Sequence, residues 1–567
     1  MNKESLHSSS MQHDDDRMDT NSHRQHGEKM SEVEGFDVIV IGSGIGGLTT
    51  AGILAKLNQQ KVLVLEQHFT IGGFTHEFAR QGKFHWDVGI HYVGDLGAGS
   101  TGKAVFDYLT DGKLQWQKMP DVFEKFVYPD FTFEVHSDHA KYQADLVQMF
   151  PAEQQAIERY FLDLQRAARW FGIYMMGELL PQWLRRSIAP ALRYWGKIAR
   201  MTTQEYLDRH FQDPHLQALL ASQWGDYGLP PSESCFGIHG LVASHYFNGG
   251  WYPVGGGQSI AKHILPIIER AGGRVIERCQ VIEILIDNGR AVGVKARTSH
   301  KPVAQVTAYY APVTISDAGA VNTYLKLIPP SYPIGYRDAI AAFPKGYSAF
   351  TLYLGLKSSP TTLGFQGENH WIYSSYDHDR AFHDWIDTSE GLPPACYLSF
   401  PSLKDPQAQS HTAEIIVFVD YDRCSAWQNT SWRHRGKEYQ QLKTQITQQM
   451  LTLVEQRYPG FRDLVEYSEL STPLTVEYFD ASDRGSIYGV PCIPSRFEQP
   501  WIGAKTPIEN LYLTGADASS LGIMGAMMGG VKTAGFLNGG LGFFKVMSAI
   551  MQESTQQQRG DLERVRS

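Results

Sequence analysis

The stretch FDVIVIGSGIGGLTTAGILAKLNQQKVLVLE, residues 36–66, decides the fold. Its opening run, residues 36–41, is mostly apolar and β-branched, which predicts a buried parallel strand. Gly42 permits a tight turn, Gly44 lets the backbone approach a pyrophosphate, and Gly47 lets the following helix pack closely on the strand. A helix that begins here directs free N–H groups and the positive end of its dipole at phosphates. The order of strand, glycines and helix therefore predicts a Rossmann-type dinucleotide site.

A second strand and an acidic residue complete this unit. Residues 61–65, KVLVL, predict the strand, and Glu66 follows it. An acid about 20 residues beyond the glycines accepts hydrogen bonds from the ribose hydroxyls, and it argues against a ligand with a 2′-phosphate. A glycine-rich motif by itself can be an ordinary turn, but the full order of elements favours a binding site.

A second pair of glycine-rich segments lies near the other end of the chain. Residues 512–517 read YLTGAD and residues 522–526 read GIMGA. The first segment predicts a strand that directs Asp517 at the pyrophosphate or ribityl part of the ligand. Met524 and Gly525 lie at the turn into a helix whose N-terminus would stabilise negative charge on a reduced flavin. One large ligand held by both ends of the chain predicts FAD, and so a redox enzyme.

Two motifs that follow Glu66 extend this interpretation. Residues 71–75, IGGFT, resemble the large group of flavoproteins that includes amine oxidases and phytoene desaturases, although that group usually has Arg where this chain has Phe74. Residues 82–94, GKFHWDVGIHYVG, resemble the retinol saturase and carotenoid isomerase branch of the phytoene desaturase-like FAD-dependent oxidoreductases. Further matches to that branch are YPVGGG at 252–257, VTISDAG at 313–319 and TGAD at 514–517.

The resemblance implies an α/β fold, with a Rossmann-type FAD-binding domain of three layers (ββα) and an interleaved α+β substrate-binding domain. It extends from about Phe36 to about Leu541 and is weak at 96–240 and 325–471, where the substrate is chosen. In the family a backbone group at the Val281 position holds the adenine. The predicted cofactor-binding residues are Gly42, Gly44, Ile45, Gly47, Glu66, Gly72, Gly73, Phe74, Thr75, Val281, Gly515, Asp517, Met524 and Gly525.

The pattern of the chain predicts discontinuous domains. Asp287-Asn288-Gly289 is typical of a hairpin turn, residues 347–356 and 413–419 predict strands, and residues 442–457 predict a helix. The expected domains are a disordered tail at 1–34, an FAD-binding domain at 35–97, 240–320 and 501–545, a substrate-binding domain at 98–239 and 321–500, and a C-terminal tail at 546–567.

The resemblance also implies a reaction: saturation of a conjugated C=C bond in a long apolar polyene, a retinoid or carotenoid. Carotenoid cis–trans isomerisation, desaturation, a flavin amine oxidase-like activity and FAD-containing lipid binding without turnover remain open. An electron donor, reduced nicotinamide or a redox partner, would reduce the flavin. His91 and Tyr92 are candidates for proton donation or substrate positioning, because the segment 87–92 is expected to pass the flavin ring. For His91 the alternative is a structural hydrogen bond that fixes this loop.

Composition removes several other classes. The formal net charge of −9 gives no support for nucleic-acid binding. The 5 cysteines are scattered, odd in number and without a C-x-x-C pair, which favours reduced thiols in a cytoplasmic protein and no metal site. No run of about 18 apolar residues occurs, so no membrane span is expected.

One segment nevertheless indicates peripheral membrane contact. Residues 166–200 combine Arg, Lys and aromatic side chains on predicted helices, and Glu178 is their only acid. Such segments can lie in a membrane interface, from which a polyene would be drawn. The alternative is an ordinary amphipathic helix pair that packs on the core.

Overall fold

The computed structural model describes residues 31–33, 35–298, 305–385 and 391–566. The strands are β1 Ser31–Val33, β2 Val38–Ile41, β3 Val62–Leu65, β4 Glu77–Arg80, β5 Phe84–Asp87, β6 Trp116–Lys118, β7 Val122–Val127, β8 Thr132–His136, β9 Trp251–Pro253, β10 Arg274–Ile276, β11 Cys279–Asp287, β12 Arg290–Thr298, β13 Gln305–Tyr310, β14 Val313–Ser316, β15 Ser348–Leu356, β16 Asn369–Tyr373, β17 Ala395–Ser399, β18 His411–Val419, β19 Val465–Ser471 and β20 Leu511–Leu513. The helices are α1 Ile45–Asn58, α2 Thr101–Thr110, α3 His139–Met149, α4 Gln154–Met176, α5 Gln182–Trp195, α6 Thr203–His210, α7 Pro214–Ala221, α8 Phe236–His245, α9 Gln258–Arg270, α10 Ala320–Asn322, α11 Arg337–Ala342, α12 His378–Asp384, α13 Pro401–Lys404, α14 Gly436–Arg457, α15 Phe461–Leu464, α16 Pro473–Asp480, α17 Gly522–Leu537 and α18 Gly542–Arg566.

A parallel sheet forms the centre of the nucleotide unit, with the strand order β10-β3-β2-β14-β20. Successive side chains of a strand point to opposite faces, and β2 is buried on both. Val38 and Val40 pack among apolar side chains of α1, α9 and α17. Ile39 and Ile41 pack on the other face against β11, β12 and β13. The predicted three-layer ββα arrangement is confirmed.

The second sheet of this unit has the order β1-β13-β12-β11. The turn between β11 and β12 is the predicted Asp287-Asn288-Gly289 hairpin, and both Asn288 (φ 48°) and Gly289 (φ 81°) have the positive φ that such a tight turn requires. Ser31–Val33 pairs in parallel with β13. The predicted disordered tail 1–34 is therefore wrong at 31–33, where backbone hydrogen bonds to β13 order the chain, and residues 1–30 and 34 lie outside the described residues.

The substrate-binding unit is built on a seven-stranded sheet with the order β19-β15-β18-β17-β16-β7-β8. β15, β18 and α14 are the three elements predicted at 347–356, 413–419 and 442–457. Phe350, Leu352 and Leu354 of β15 pack in one core with buried side chains of α14. The alternate residues of the strand face the opposite side, which carries the cavity described below.

Packing corrects two of the predicted domain boundaries. α2, assigned to the substrate domain within 98–239, places Val105 and Leu109 in the core of the nucleotide unit. The predicted C-terminal tail 546–567 instead continues α18, whose Val546 and Ile550 are buried in that same core. Their i, i+4 spacing puts both on one helix face, and α18 packs on α2 and α17.

We expect Ile550→Ala to destabilise the protein by about 2–5 kcal/mol, because Ile550 is fully buried and its removal leaves a cavity. Phe544→Ala, on the same helix but 61% exposed, is the matched control and should change stability by no more than about 0.5 kcal/mol. Urea unfolding followed by circular dichroism measures both. Equal effects of the two changes would show that α18 is not part of the core.

Candidate active site

The loop between β2 and α1 forms a close-packed cradle. A Cβ at Gly46 would overlap the Cα of Gly515, and a Cβ at Gly47 would overlap the carbonyl oxygen of Gly42. Gly42 and Gly44 border the main cavity, together with Ile45. Gly47 and Gly515, predicted to bind the cofactor, do not border it. They serve the site by letting α1, β2 and the segment after β20 approach one another.

Glu66 ties the cradle to its neighbours. Its Oε2 accepts hydrogen bonds from the backbone N–H (2.8 Å) and the hydroxyl (2.6 Å) of Ser43. Its Oε1 accepts from the N–H of His68 at 2.7 Å, and Ser43 Oγ in turn accepts from the N–H of Gly72 at 3.1 Å. Glu66 and Val281 both border the cavity. Contact of Glu66 with a ribose stays a prediction, and the structure adds that this carboxylate also holds the glycine loop.

Asp317 is a site residue that sequence reasoning missed. It directly follows β14, and its Oδ2 accepts a hydrogen bond from the N–H of Gly47 at 2.9 Å. Burial raises the pKa of Asp317 to about 7. The sequence signal is VTISDAG at 313–319, in which an acid directly follows a strand. The family resemblance covers this motif but assigns its acid no role.

Asp517 makes hydrogen bonds within the protein that the sequence did not predict. Its Oδ2 accepts from the N–H of Ala320 at 2.7 Å and its Oδ1 from the N–H of Val490 at 3.0 Å. The carboxylate therefore holds two loops beside the cradle while it borders the cavity. Any cofactor contact of Asp517 would be additional to these two bonds.

The other predicted cofactor residues lie along the same cavity. Thr75 Oγ donates to the carbonyl oxygen of Gly72 at 2.8 Å, which fixes the turn between β3 and β4. α17 begins at Gly522, and its N-terminal turn borders the cavity. The structure brings these remaining predicted residues to the cavity: Gly72, Gly73, Phe74, Thr75, Met524 and Gly525.

The loop that carries His91 and Tyr92 is held from several sides. At its start, Asp87 accepts hydrogen bonds from the N–H of Gly257 (2.7 Å) and from the Tyr252 hydroxyl. At its end, the N–H of Gly94 donates to Nε2 of His245 at 2.8 Å. Burial lowers the pKa of His245 to about 4, so its ring stays neutral and can accept this bond.

Lys404 fixes the middle of the same loop, and no motif in the sequence marks this residue. Its Nζ donates to the carbonyl oxygen of His91 (2.8 Å), to Asn369 Oδ1 (2.5 Å) and to Ser399 Oγ (2.7 Å). Burial lowers the pKa of Lys404 to about 7. All three acceptors come from different elements, so one ammonium group locks the loop onto the substrate-binding sheet.

The two predicted catalytic side chains border the cavity in different surroundings. His91 Nδ1 lies 2.9 Å from Oε2 of the buried Glu414, the distance of an ion pair, but the two groups are not aligned for a hydrogen bond. Tyr92 stacks on Tyr246 with ring centres 4.3 Å apart. Burial raises the pKa of Tyr92 well above its usual range, so the phenol keeps its proton.

One cavity of about 1200 Å³ joins the cradle to the substrate-binding unit. It exceeds the roughly 300–1,000 Å³ typical of a pocket for one small ligand, which leaves room for a dinucleotide and a second molecule. Its wall beyond the cradle is largely apolar and aromatic, and includes Phe171, Met175, Met176, Leu241, Val242, Ile416 and Phe418. The nucleotide end is polar, and the far end suits an apolar ligand.

A glycine cradle on a Rossmann sheet, opening into an apolar cavity under a second sheet, defines a two-domain oxidoreductase. Residues 40–109 match the model of the NAD(P)-binding Rossmann-like domain, and residues 244–327 match that of the GMC oxidoreductases. The chain belongs to the family of the all-trans-retinol 13,14-reductases. It is 34% identical over 520 residues to the member from Danio rerio. The aligned region covers 88% of this chain and 85% of that protein.

Two further similarities place this family among its neighbours. Prolycopene isomerase 2, chloroplastic, from an Oncidium hybrid cultivar, is 26% identical over 560 residues, covering 91% of this chain and 86% of that protein. The structure of a putrescine oxidase triple mutant superposes with a TM-score of 0.60 at 13% identity, covering 89% of this chain and 99% of that one. At that identity the second comparison shows the shared fold alone.

We expect Glu66→Ala to weaken FAD binding by at least about tenfold, because the ribose loses an acceptor and the Ser43 loop loses its anchor. Ser43→Ala is the informative companion, since it removes the hydroxyl contacts to Glu66 and to the N–H of Gly72 but keeps the Glu66 carboxylate, and it should have the smaller effect. Titration of apoprotein with FAD, followed by flavin fluorescence, gives both dissociation constants. An unchanged constant for a folded Glu66→Ala protein would contradict the assignment.

Proposed function

We propose that this protein is an FAD-dependent oxidoreductase that saturates one conjugated C=C bond of a long apolar polyene, a retinoid or carotenoid. The observation that carries the proposal is the single cavity that runs from the glycine cradle to the apolar wall. The Danio rerio relative is an all-trans-retinol 13,14-reductase, and its activity supports the same substrate class.

The residues of the cradle fit FAD. Backbone N–H groups at the start of α1 suit the pyrophosphate, Glu66 suits the ribose, and the backbone beside Val281 suits the adenine. The loop after Gly73 and the start of α17 would flank the flavin ring. When bound, FAD supplies a hydride from its reduced flavin, and an external two-electron donor, reduced nicotinamide or a redox partner, must restore it.

The chain itself contributes orientation, exclusion of water and protons. The largely apolar wall removes the polyene from water, so the substrate is held mainly by shape. The anchored loop at 88–94 places His91 and Tyr92 at the junction of the polar and apolar ends. A small polar amine would find few partners on this wall, which speaks against an amine oxidase-like activity.

A second candidate activity is cis–trans isomerisation of a carotenoid. The similarity to a prolycopene isomerase favours it, and the same cavity would serve it. Desaturation would reverse the hydride flow, and lipid binding without turnover would use the cavity alone. These possibilities differ in the redox balance of flavin and product, so one experiment separates them.

We expect anaerobic mixing of the reduced holoenzyme with all-trans-retinol or a carotene to return the absorbance of oxidised flavin and to give a product heavier by two hydrogens. An isomerase would leave the flavin reduced and the product mass unchanged. A desaturase would instead act in the oxidised holoenzyme, where it would bleach the flavin and remove two hydrogens from the polyene. Free reduced FAD with the same polyenes is the control. No change with any polyene tested would contradict an enzyme of this substrate class.

We further propose that the protein meets membranes peripherally through α5. In the part of the chain that the structure describes, no helix combines the length and apolar character needed to cross a bilayer. α4 is an ordinary amphipathic helix packed on the core, the alternative to membrane contact, since its Phe161, Leu164 and Phe171 are buried. α5 differs, because Trp183, Tyr194 and Trp195 are 70%, 79% and 67% exposed.

The exposed side of α5 and the turn after it, which we name the α5 surface, also carries positive charge. Its exposed members are Trp183, Arg185, Arg186, Arg193, Tyr194, Trp195 and Lys197. Exposed aromatics beside bases suit the interface of an anionic bilayer. Because Phe171, Met175 and Met176 at the end of α4 border the cavity, the α5 surface adjoins a route for an apolar substrate.

We expect the protein to float with vesicles that contain phosphatidylserine, and less so as salt rises. Replacing the four bases of the α5 surface by Gln should lower the bound fraction at least about tenfold, since each base near the surface contributes about 1 kcal/mol. Vesicle flotation measures both effects.

The matched control replaces four exposed lysines elsewhere by Gln, which gives the same change in net charge: Lys113, Lys141, Lys262 and Lys437. This control should float like the unchanged protein. Equal loss in both variants would reduce the effect to net charge, and equal flotation of all three proteins would remove the electrostatic part of the proposal.

A further inference from the structure

We propose that Asp226, half-buried in the wall of the cavity, holds a proton at neutral pH and is the proton donor to the substrate, with Tyr92 and Glu124 as the residues that position it. This inference rests on the proposed function for the delivery of the proton. It assigns Asp226 and Glu124, which the sequence did not single out, and it changes the role of Tyr92 from donor to positioning residue.

The three groups form one chain of oxygen atoms. Tyr92 Oη lies 2.6 Å from Oδ2 of Asp226 and is also hydrogen bonded to Oε1 of Glu124. Asp226 and Tyr92 border the cavity, and Glu124 lies behind them with no exposed surface. The chain therefore runs from the cavity wall into the protein.

Counting hydrogens locates the proton. Glu124 is surrounded by donors: Nε1 of Trp371 at 3.1 Å, which can only donate, and Nε2 of Gln223 at 2.6 Å. A carboxylate suits that setting, so the single hydrogen of the Tyr92 hydroxyl points at Glu124. The contact between Tyr92 and Asp226 then needs its own hydrogen, which must come from the carboxyl of Asp226.

The surroundings favour the same distribution. Burial, and then the charge of Glu124, raise the pKa of Asp226 well above its usual range. Burial raises the pKa of Glu124 to about 7, and the cation of Lys404 acts in the opposite direction. The other titratable groups that face this cluster are tyrosines whose pKa burial raises, so they stay neutral. They are Tyr142 of α3, Tyr227 beside Asp226, Tyr246 at the end of α8, Tyr373 of β16, Tyr397 of β17 and Tyr488 of the loop before β20.

The reaction balances with one hydrogen from each source. The π bond of the polyene would break and two C–H bonds would form, one with the proton of Asp226 and one with the hydride that bound reduced FAD supplies. The hydride would carry both electrons from the flavin, and Asp226 would be left as a carboxylate. The Tyr92 hydroxyl can then donate to Asp226 until water returns the proton. His91 has no such chain behind it, since its ring lies beside Glu414 without an aligned hydrogen bond.

The first test needs neither turnover nor substrate. Infrared difference spectra of the holoenzyme, unchanged protein minus Asp226→Asn, should show the C=O band of a carboxylic acid at neutral pH. Asp379→Asn is the matched control. Asp379 is a half-buried acid that does not border the cavity, and it accepts a hydrogen bond from the N–H of Ser232. Its difference spectrum should lack the acid band. Absence of the band for Asp226→Asn would overturn the proposal.

The second test follows flavin reoxidation by the polyene under anaerobic conditions. Asp226→Asn should slow it by roughly 10²–10⁴-fold while FAD stays bound. Glu124→Gln should move the loss of rate on the alkaline side to lower pH. The reason is that removal of a neighbouring negative charge lowers the pKa of Asp226, and a merely structural role would not move this profile.

The outcomes separate the two levels of the argument. A normal rate in Asp226→Asn, with a 10²–10⁴-fold loss in His91→Ala, would overturn the role of Asp226 and leave the proposed function intact. Failure of the unchanged protein to reduce any polyene would overturn the proposed function and proton delivery together. Even then, the infrared band would decide whether Asp226 holds the proton.

Discussion

The whole structure depends on one close approach of backbones, where the first turn of α1 meets the segment after β20. Gly46 and Gly515 touch there without side chains between them. The contact is reinforced by a hydrogen bond between the hydroxyls of Thr50 and Thr514 at 2.8 Å, and Asp317 braces it through the N–H of Gly47. Three segments that are distant in sequence therefore build one cradle. The N-terminal glycine motif has its shape only because the other two segments are present.

The second constraint is the alternation of side chains along the strands of the substrate-binding sheet. In β15, Phe350 and Leu352 enter the core beneath the sheet, whereas Ala349, Thr351 and Tyr353 border the cavity. One face of the sheet stabilises the fold and the other shapes the ligand space. The cavity thus has a polar end made of loops and helix N-termini and an apolar end made of a rigid sheet. The loop with His91 and Tyr92 joins the two.

The sequence predicts the nucleotide unit well because its physics is local. Turn, helix start and terminal acid fall within residues 36–66, and each requirement selects a residue type that can be recognised. Lys404, Glu124 and Asp226 are different. They come from a short helix, a strand and a turn in the segments with weak resemblance, and only the tertiary fold brings them near the cavity. No spacing along the chain marks them, and a buried lysine or acid looks in sequence like any exposed one. α18 was missed as a core helix for a related reason, since its polar residues hide the pair Val546 and Ile550.

The place of β20 at the edge of the central sheet has a consequence for synthesis. β20 and Gly515 leave the ribosome some 450 residues after Glu66, which at about 5–20 residues per second is a delay of roughly 20–100 s. During that time the central sheet lacks its edge strand, which pairs with β14, and α1 lacks the glycine that completes the cradle. The nascent chain must therefore keep an apolar Rossmann half protected until β20 and Gly515 are made. Loading with cofactor has to wait for that segment, and a chain truncated before β20 would be released with its cradle incomplete.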